Sequence, residues 1–114
     1  MKISYVVVLS FSLVLNGCEP AATFDGTSSD TLEYSTQKVY EQLSVEKKEQ
    51  LHIAITDIMD YYKTEALLNN DDHFSSDKIR LLFLNGKTAD QIISEARRYR
   101  GKKVKLLLQY QQEK

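Results

Sequence analysis

Apolar residues recur at helical spacing along most of this chain, and strict alternation of apolar and polar residues is absent. One such stripe consists of Leu51, Ala54, Ile55, Ile58 and Tyr62. The pattern predicts an all-α fold, a small bundle of about four helices. The predicted helices span residues 29–43, 45–68, 76–84 and 88–112. On the first, Leu32, Val39 and Leu43 share one face, and on the last Ile92, Ala96, Tyr99, Leu106 and Tyr110 do so.

Local signals mark the ends of these helices. Ser44 suits the N-cap of the second helix, and Thr88 with Gln91 matches the capping box at the start of the fourth. Asn85-Gly86 is typical of a helix C-terminus. Gly101 lies inside the fourth helix, where glycine costs about 1 kcal/mol relative to alanine. A kink or break at Gly101 is therefore an open alternative.

Two stretches of the chain, residues 24–32 and 84–92, resemble each other. Both read apolar, Asp or Asn, Gly, any residue, Ser or Thr, any residue, Asp, any residue, apolar. This order describes a glycine turn followed by a hydroxyl N-cap and an acidic first turn. Two helices that begin by the same chemistry would produce it. A duplication, or a surface that the two turns form together, is the alternative.

The N-terminus carries the features of a bacterial lipoprotein signal. Lys2 precedes a mostly apolar run of 13 residues, 3–15, which is shorter than the roughly 20 residues that a spanning helix needs. The next residues, Leu15-Asn16-Gly17-Cys18, resemble a lipobox, although Asn16 departs from the usual small residue. Residues 1–17 are thus predicted to be a signal peptide that is cleaved before Cys18. An ordinary secretory signal and a buried N-terminal helix are the alternatives.

Cys18 is the only cysteine of the chain, so an internal disulfide is excluded. The lipobox resemblance implies acylation of Cys18, with palmitate among the acyl chains, and each buried methylene contributes about 0.8 kcal/mol to membrane attachment. Residues 18–28 are then a lipidated cysteine and tether, and residues 29–114 are a helical domain. Glu19 stands where aspartate would retain a lipoprotein in the inner membrane of enterobacteria-like cells. That resemblance favours the outer membrane, on the side that faces the periplasm.

The mature part of the chain also resembles a known group of proteins. Its segments "FDGTSSDTLEYSTQKVYEQLSVEKKEQLHIAI" and "LNGKTADQIISEARRY", after the lipobox, are similar to a family of small bacterial lipoproteins of unknown function. The similarity is most specific from Leu84 to Ala96. The chain departs from the family at Asp60-Tyr61-Tyr62 and in the basic extension after Arg97. The resemblance implies a helical domain tethered to the cell envelope and no known activity.

Charge is unevenly distributed, although the net charge of the whole chain is only −1. Among the charged side chains of residues 18–77, acidic ones predominate. Residues 97–114, in contrast, hold seven basic side chains and one acidic side chain, Glu113. Tyrosine is enriched in binding faces because it combines apolar area with a polar tip. A candidate interaction face therefore comprises Tyr61, Tyr62, Tyr99, Arg97, Arg98, Lys102 and Lys103.

The expected partner of this face is an envelope protein or anionic lipid headgroups. The alternatives are tyrosines that line the rim of the core, and a solvated basic helix face whose charges pair within the chain. Nucleic acid is excluded as a partner because a secreted, lipid-tethered chain does not meet it.

No residues point to catalysis, a metal or a cofactor. His52 and His73 lie on different predicted elements, and no serine nucleophile or phosphate-binding loop accompanies them. Asp71 and Asp72 are adjacent, whereas a calcium loop needs alternating oxygen ligands and a glycine turn. We therefore expect a protein that is not an enzyme and has no metal or cofactor.

Overall fold

The computed structural model describes residues 20–113. The predicted signal peptide and lipobox, with Leu15, Asn16, Gly17 and Cys18, lie outside the described residues. Four helices follow one another: α1 (Ser29–Glu41), α2 (Val45–Leu68), α3 (Ser76–Leu84) and α4 (Ala89–Glu113). The predicted all-α bundle of four helices is confirmed, and the helix ends differ from the predicted ones by two residues at most.

Hydroxyl side chains begin each helix, as the capping pattern predicted. Ser44 accepts a hydrogen bond from the backbone N–H of Lys47 at 3.2 Å. At the start of α4, Thr88 Oγ1 accepts from Gln91 N–H and Gln91 Oε1 accepts from Thr88 N–H, which completes the predicted capping box. These bonds satisfy N–H groups that have no partner inside the helix.

Glycine has different roles before α4 and within it. Gly86 follows α3 with φ of +77°, a backbone conformation that side chains with a Cβ rarely adopt, and so ends α3 as predicted. Gly101, in contrast, lies within the helical span Ala89–Glu113. The alternative of a break at Gly101 is therefore wrong.

The two long helices, α2 and α4, run parallel. Within residues 20–113 three ion pairs join them, Lys47 with Asp90, Asp57 with Arg100, and Asp60 with Lys103. In each pair the partners are 43 residues apart, so position along α4 rises in step with position along α2. The short helix α3 lies between them in the chain and contacts both α1 and α2.

One hydrophobic core joins all four helices. Leu51, Ala54 and Ile58 of α2 are buried, as the predicted stripe required. The other buried apolar residues are Phe24, Leu32, Val39, Met59, Phe83, Leu84, Ala89, Ile92, Ala96 and Tyr99. The predicted apolar face of α4 is buried only as far as Tyr99, because Leu106 is half-buried and Tyr110 is exposed.

The described part of the predicted tether, residues 20–28, is packed on the bundle, which corrects that part of the prediction. Phe24 is only 1% exposed and belongs to the core. Its N–H donates to Lys87 O at 2.9 Å, and its carbonyl accepts from Gly86 N–H at 2.8 Å. The domain therefore begins near Ala22 rather than at residue 29. One buried aromatic residue creates no periodicity, so the hydrophobic pattern did not predict the burial of Phe24.

The two similar stretches of sequence lie against each other. Thr23 forms an antiparallel bridge with Thr88, and Gly26 N–H donates to Asn85 Oδ1 at 2.9 Å. Both stretches also begin a helix with a capping box, at Ser28 and at Thr88. Of the interpretations left open, the structure supports shared helix-start chemistry together with a surface that both turns form.

Candidate interaction site

Three tyrosines of the candidate interaction face form one cluster between α2 and α4. Each pair of rings among Tyr61, Tyr62 and Tyr99 has its centroids 5.4 Å apart. The hydroxyls of Tyr62 and Tyr99 share a hydrogen bond of 2.7 Å, and the Tyr61 hydroxyl donates to Glu65 Oε2 at 3.0 Å. The cluster thus satisfies its own polar groups within the helix interface.

The burial of this cluster limits what it can offer a partner. Tyr99 is only 7% exposed, while Tyr61 and Tyr62 are half-buried. Burial raises the pKa of Tyr62, and the hydrogen bond with Tyr99 raises it further. The structure therefore favours the alternative that these tyrosines line the rim of the core.

Two cations of the predicted face cover the tyrosine cluster. Lys102 Nζ lies 5.0 Å from the centroid of the Tyr99 ring and 5.8 Å from that of Tyr61. Arg98 lies 5.5 Å from the Tyr99 ring on the same helix. Such contacts contribute about 0.5–1 kcal/mol each at exposed sites. Arg98 and Lys102 therefore seal the exposed edge of the cluster.

Other cations of α4 are used to join the helices. Lys103 pairs with Asp60, and Arg100 Nε donates to Asp57 Oδ2 at 2.6 Å. Arg100 was not in the predicted face, although its spacing of three from Lys103 places the two on one side of α4. These pairs fit the alternative of a basic helix whose charges pair within the chain.

Arg97 lies on a different side of α4 and has no ion pair with any residue from 20 to 113. It is spaced four, seven and eleven residues from Gly101, Val104 and Leu108, so these four residues form one stripe. We call this stripe the α4 outer face. Lys105 and Leu107 lie at its two borders, and Lys105 likewise lacks an ion pair in the described chain.

The α4 outer face exposes apolar side chains. Val104 is 58% and Leu108 is 53% exposed, and Leu107 at the border is also exposed. The sequence prediction named Arg97 but missed Val104 and Leu108. Their spacing from Arg97 was the signal that would have found them, as a second helical stripe opposite the buried one.

The histidines and acidic residues of the described chain do not converge. His52 and His73 are both exposed, and Asp71 Oδ1 accepts a hydrogen bond from the backbone N–H of His73. Within residues 20–113, His, Cys, Asp and Glu side chains form no group of three or more that could hold a metal ion.

No helix among α1 to α4 combines the length and the apolar character that crossing a bilayer requires.

Comparisons with curated proteins and with solved structures find no match. A scan against protein families does find one, over residues 4–101. That range covers most of the chain and includes α1 to α3, the tyrosine cluster and the beginning of the α4 outer face. The chain belongs to this family, DUF6694, a family of unknown function.

Proposed function

We propose that this protein is a lipid-anchored component of the bacterial cell envelope that binds a protein partner through the α4 outer face and catalyses no reaction. The observation that carries the binding role is the exposure of Val104 and Leu108 beside Arg97 and Lys105, two cations that have no ion pair within residues 20–113. The anchoring role rests on Cys18 and on the lipobox-like residues before it.

The composition of the α4 outer face suits a protein partner. Binding faces commonly have an apolar centre and a polar rim, and contiguous exposed apolar residues mark such sites. Here Val104 and Leu108 provide the centre, while Arg97 and Lys105 provide charges that no acidic side chain of the described chain neutralises. The partner expected from this chemistry presents an apolar groove with carboxylates at its edges.

The interface between α2 and α4 supports the same role because it holds the α4 outer face rigidly. Lys47, Asp57 and Asp60 of α2 each pair with a residue of α4. The buried residues of α4, Ile92, Ala96 and Tyr99, lie on a different side of the helix from Leu108. A partner could therefore bind the α4 outer face without any rearrangement of the core.

The anchor is tested by Cys18→Ser. Acylation needs the thiol, so the variant is expected to lose palmitate incorporation and to remain an unprocessed, longer chain in metabolically labelled bacteria. Gly101→Ser, which leaves the lipobox intact, is the control and should be labelled and processed like the unaltered protein. Labelling that survives Cys18→Ser would contradict the anchor.

The partner is tested by photo-crosslinking in intact cells. A photoreactive amino acid in place of Leu108 is expected to capture one reproducible protein, whereas the same amino acid in place of the exposed Gln37 on α1 should not. Capture should fail in Arg97→Glu/Lys105→Glu and persist in Lys48→Glu/Lys78→Glu, which changes the net charge equally. Equal capture from both positions would contradict a specific partner on α4.

Anionic headgroups are the second candidate for the same surface. Cations beside apolar side chains also suit a membrane surface, where each Lys or Arg contributes about 1 kcal/mol. The lipidated protein with a polarity-sensitive dye on Gln111→Cys would be placed in vesicles of phosphatidylcholine with or without phosphatidylglycerol. A blue shift that needs phosphatidylglycerol, and that Arg97→Glu/Lys105→Glu abolishes, would favour headgroups. The absence of a shift would exclude them.

A further inference from the structure

A groove with a volume of about 390 Å³ lies between α1, α2 and α3, on residues distinct from those of the α4 outer face. We call it the α1–α3 groove. Its apolar lining consists of Phe24, Tyr40, Ile55, Met59 and Leu84. Phe24, Met59 and Leu84 are buried, so they form the floor. A volume of this size is within the range of natural ligand sites, about 300–1,000 Å³, and apolar lining is typical of them.

Two cations line the groove from facing helices, Lys63 on α2 and Arg80 on α3. Neither has an ion pair or a side-chain hydrogen bond within residues 20–113. The hydroxyl of Tyr40 also lacks a hydrogen-bond partner in this part of the chain. Burial raises the pKa of Tyr40 while the charge of Arg80 lowers it, so the guanidinium acts on the phenol. Unused donors of α1, α2 and α3 thus converge on one apolar groove.

The remaining polar groups of the lining do not compensate these cations. Asp60 is the only acidic residue of the lining, and Lys103 of α4 already pairs with it. The hydroxyls of Thr36 and Thr56 donate to the backbone carbonyls of Leu32 and His52. The α1–α3 groove is therefore positively charged, and an anion is the complement that it lacks.

We propose that the α1–α3 groove binds an amphipathic anion, a carboxylate or phosphate on a linear acyl chain. The anionic head lies between Lys63 and Arg80, since the guanidinium fork matches carboxylate and phosphate oxygens. The acyl chain lies on the half-buried Tyr40 and Ile55 above the buried floor, beside Met59, whose flexible thioether adapts to irregular ligands. A compact anion without a chain would leave this half-buried apolar lining uncovered. This site is independent of partner binding by α4.

The test uses the full-length protein in membranes of the bacteria that express it. The probe is a decanoic acid that carries a photoreactive diazirine, and adducts are located by mass spectrometry. We expect adducts at Ile55 and Met59, and at least about tenfold fewer in Lys63→Gln/Arg80→Gln, because two charged hydrogen-bond donors are lost. Lys48→Gln/Lys78→Gln removes two exposed cations outside the groove and should label like the unaltered protein.

Competition identifies the head group. Excess decanoate that prevents labelling indicates a carboxylate site, and excess decyl phosphate that prevents it indicates a phosphate site. Decanol, which has the same chain and no charge, should not compete. Equal competition by decanol, adducts spread over the surface or centred on Leu108, or full labelling of Lys63→Gln/Arg80→Gln would each overturn the proposal. Circular dichroism of each variant shows whether its helices are intact.

Discussion

The hydroxyls of Tyr62 and Tyr99 face each other across the interface of α2 and α4, 2.7 Å apart. One of the two must keep its proton to donate this bond. Ionisation of Tyr62 would therefore remove the donor or place a phenolate in a half-buried position near Glu65. Burial raises the pKa of Tyr62 most, and the hydrogen bond with Tyr99 and the charge of Glu65 raise it further. The free energy that Tyr62 contributes to the helix interface is therefore expected to decrease at alkaline pH.

The pH dependence of unfolding tests this role of Tyr62. Because its pKa is raised in the folded state, its contribution is fully present below the ordinary tyrosine pKa of 10.0 and is lost as the pH rises above it. The free energy of unfolding should begin to fall near pH 10 and continue to fall as the pH rises further, and it should fall less in Tyr62→Phe. That variant should cost about 1 kcal/mol at pH 7.

Tyr34→Phe is the matched control, since Tyr34 is 63% exposed and belongs to no such pair. It should keep the alkaline slope of the unaltered protein in urea titrations. Identical slopes in all three proteins would contradict the assignment to Tyr62.

Gly26 provides a second prediction at the scale of one residue. A Cβ at this position would lie 2.1 Å from the backbone carbonyl oxygen of Leu81, which cannot yield as a flexible side chain can. The turn before α1 must then move away from α3 and weaken the bond from Gly26 N–H to Asn85 Oδ1. Gly26→Ala is expected to lower the free energy of unfolding by about 1–3 kcal/mol, measured by urea titration.

At the scale of the element, glycine-to-alanine substitution within α4 is expected to change stability in the opposite direction from Gly26→Ala. Gly101 is exposed inside the helix, and a Cβ there would meet nothing within 4 Å. Alanine restricts the unfolded chain and favours the helix, so Gly101→Ala should raise the free energy of unfolding by about 1 kcal/mol. A loss of stability in Gly101→Ala would indicate that α4 needs a bend at this position. Comparison of Gly101→Ala with Gly26→Ala separates the effect of steric contact on stability from that of intrinsic helix propensity.

The ends of the helices could be predicted from the sequence because their causes are local. Ser44, Thr88 and Gly86 act on backbone groups within a few residues, so no knowledge of the fold was needed. The partial burial of Leu106 and the exposure of Tyr110 could not be predicted in this way. Helical periodicity specifies which side chains share a face, but not how many other elements cover it.

The candidate interaction site was likewise predictable from the sequence only in part. The enrichment of tyrosine in binding faces put Tyr61, Tyr62 and Tyr99 into one predicted face, and the structure does bring their rings together. Their burial depends on how closely α2 and α4 pack, which no local pattern encodes. The α1–α3 groove was not predicted at all, because Lys63 and Arg80 come to line one groove only after three helices have assembled.

At the scale of the whole molecule, the parallel arrangement of α2 and α4 requires the chain to return to the beginning of α2 before α4 starts. Helix α3 and the turn at Gly86 make this return, and the segment around Phe24 lies against the same turn. The two similar stretches of sequence therefore meet at the point where the connections converge. Phe24 stabilises this junction, because its ring is buried in the core and its backbone forms hydrogen bonds with Gly86 and Lys87.

Removal of the Phe24 ring tests whether the junction belongs to the cooperative domain. The ring is 1% exposed, and Phe→Ala in a core typically costs about 3–5 kcal/mol. That is a large part of the roughly 5–15 kcal/mol by which small domains are stable, so Phe24→Ala should unfold at much lower urea concentration and tens of degrees earlier. Leu82→Ala, at a side chain that is 74% exposed, is the control and should change little. If both variants unfold alike, residues 20–28 behave as a tether outside the domain, and the bundle draws its stability from the helices alone.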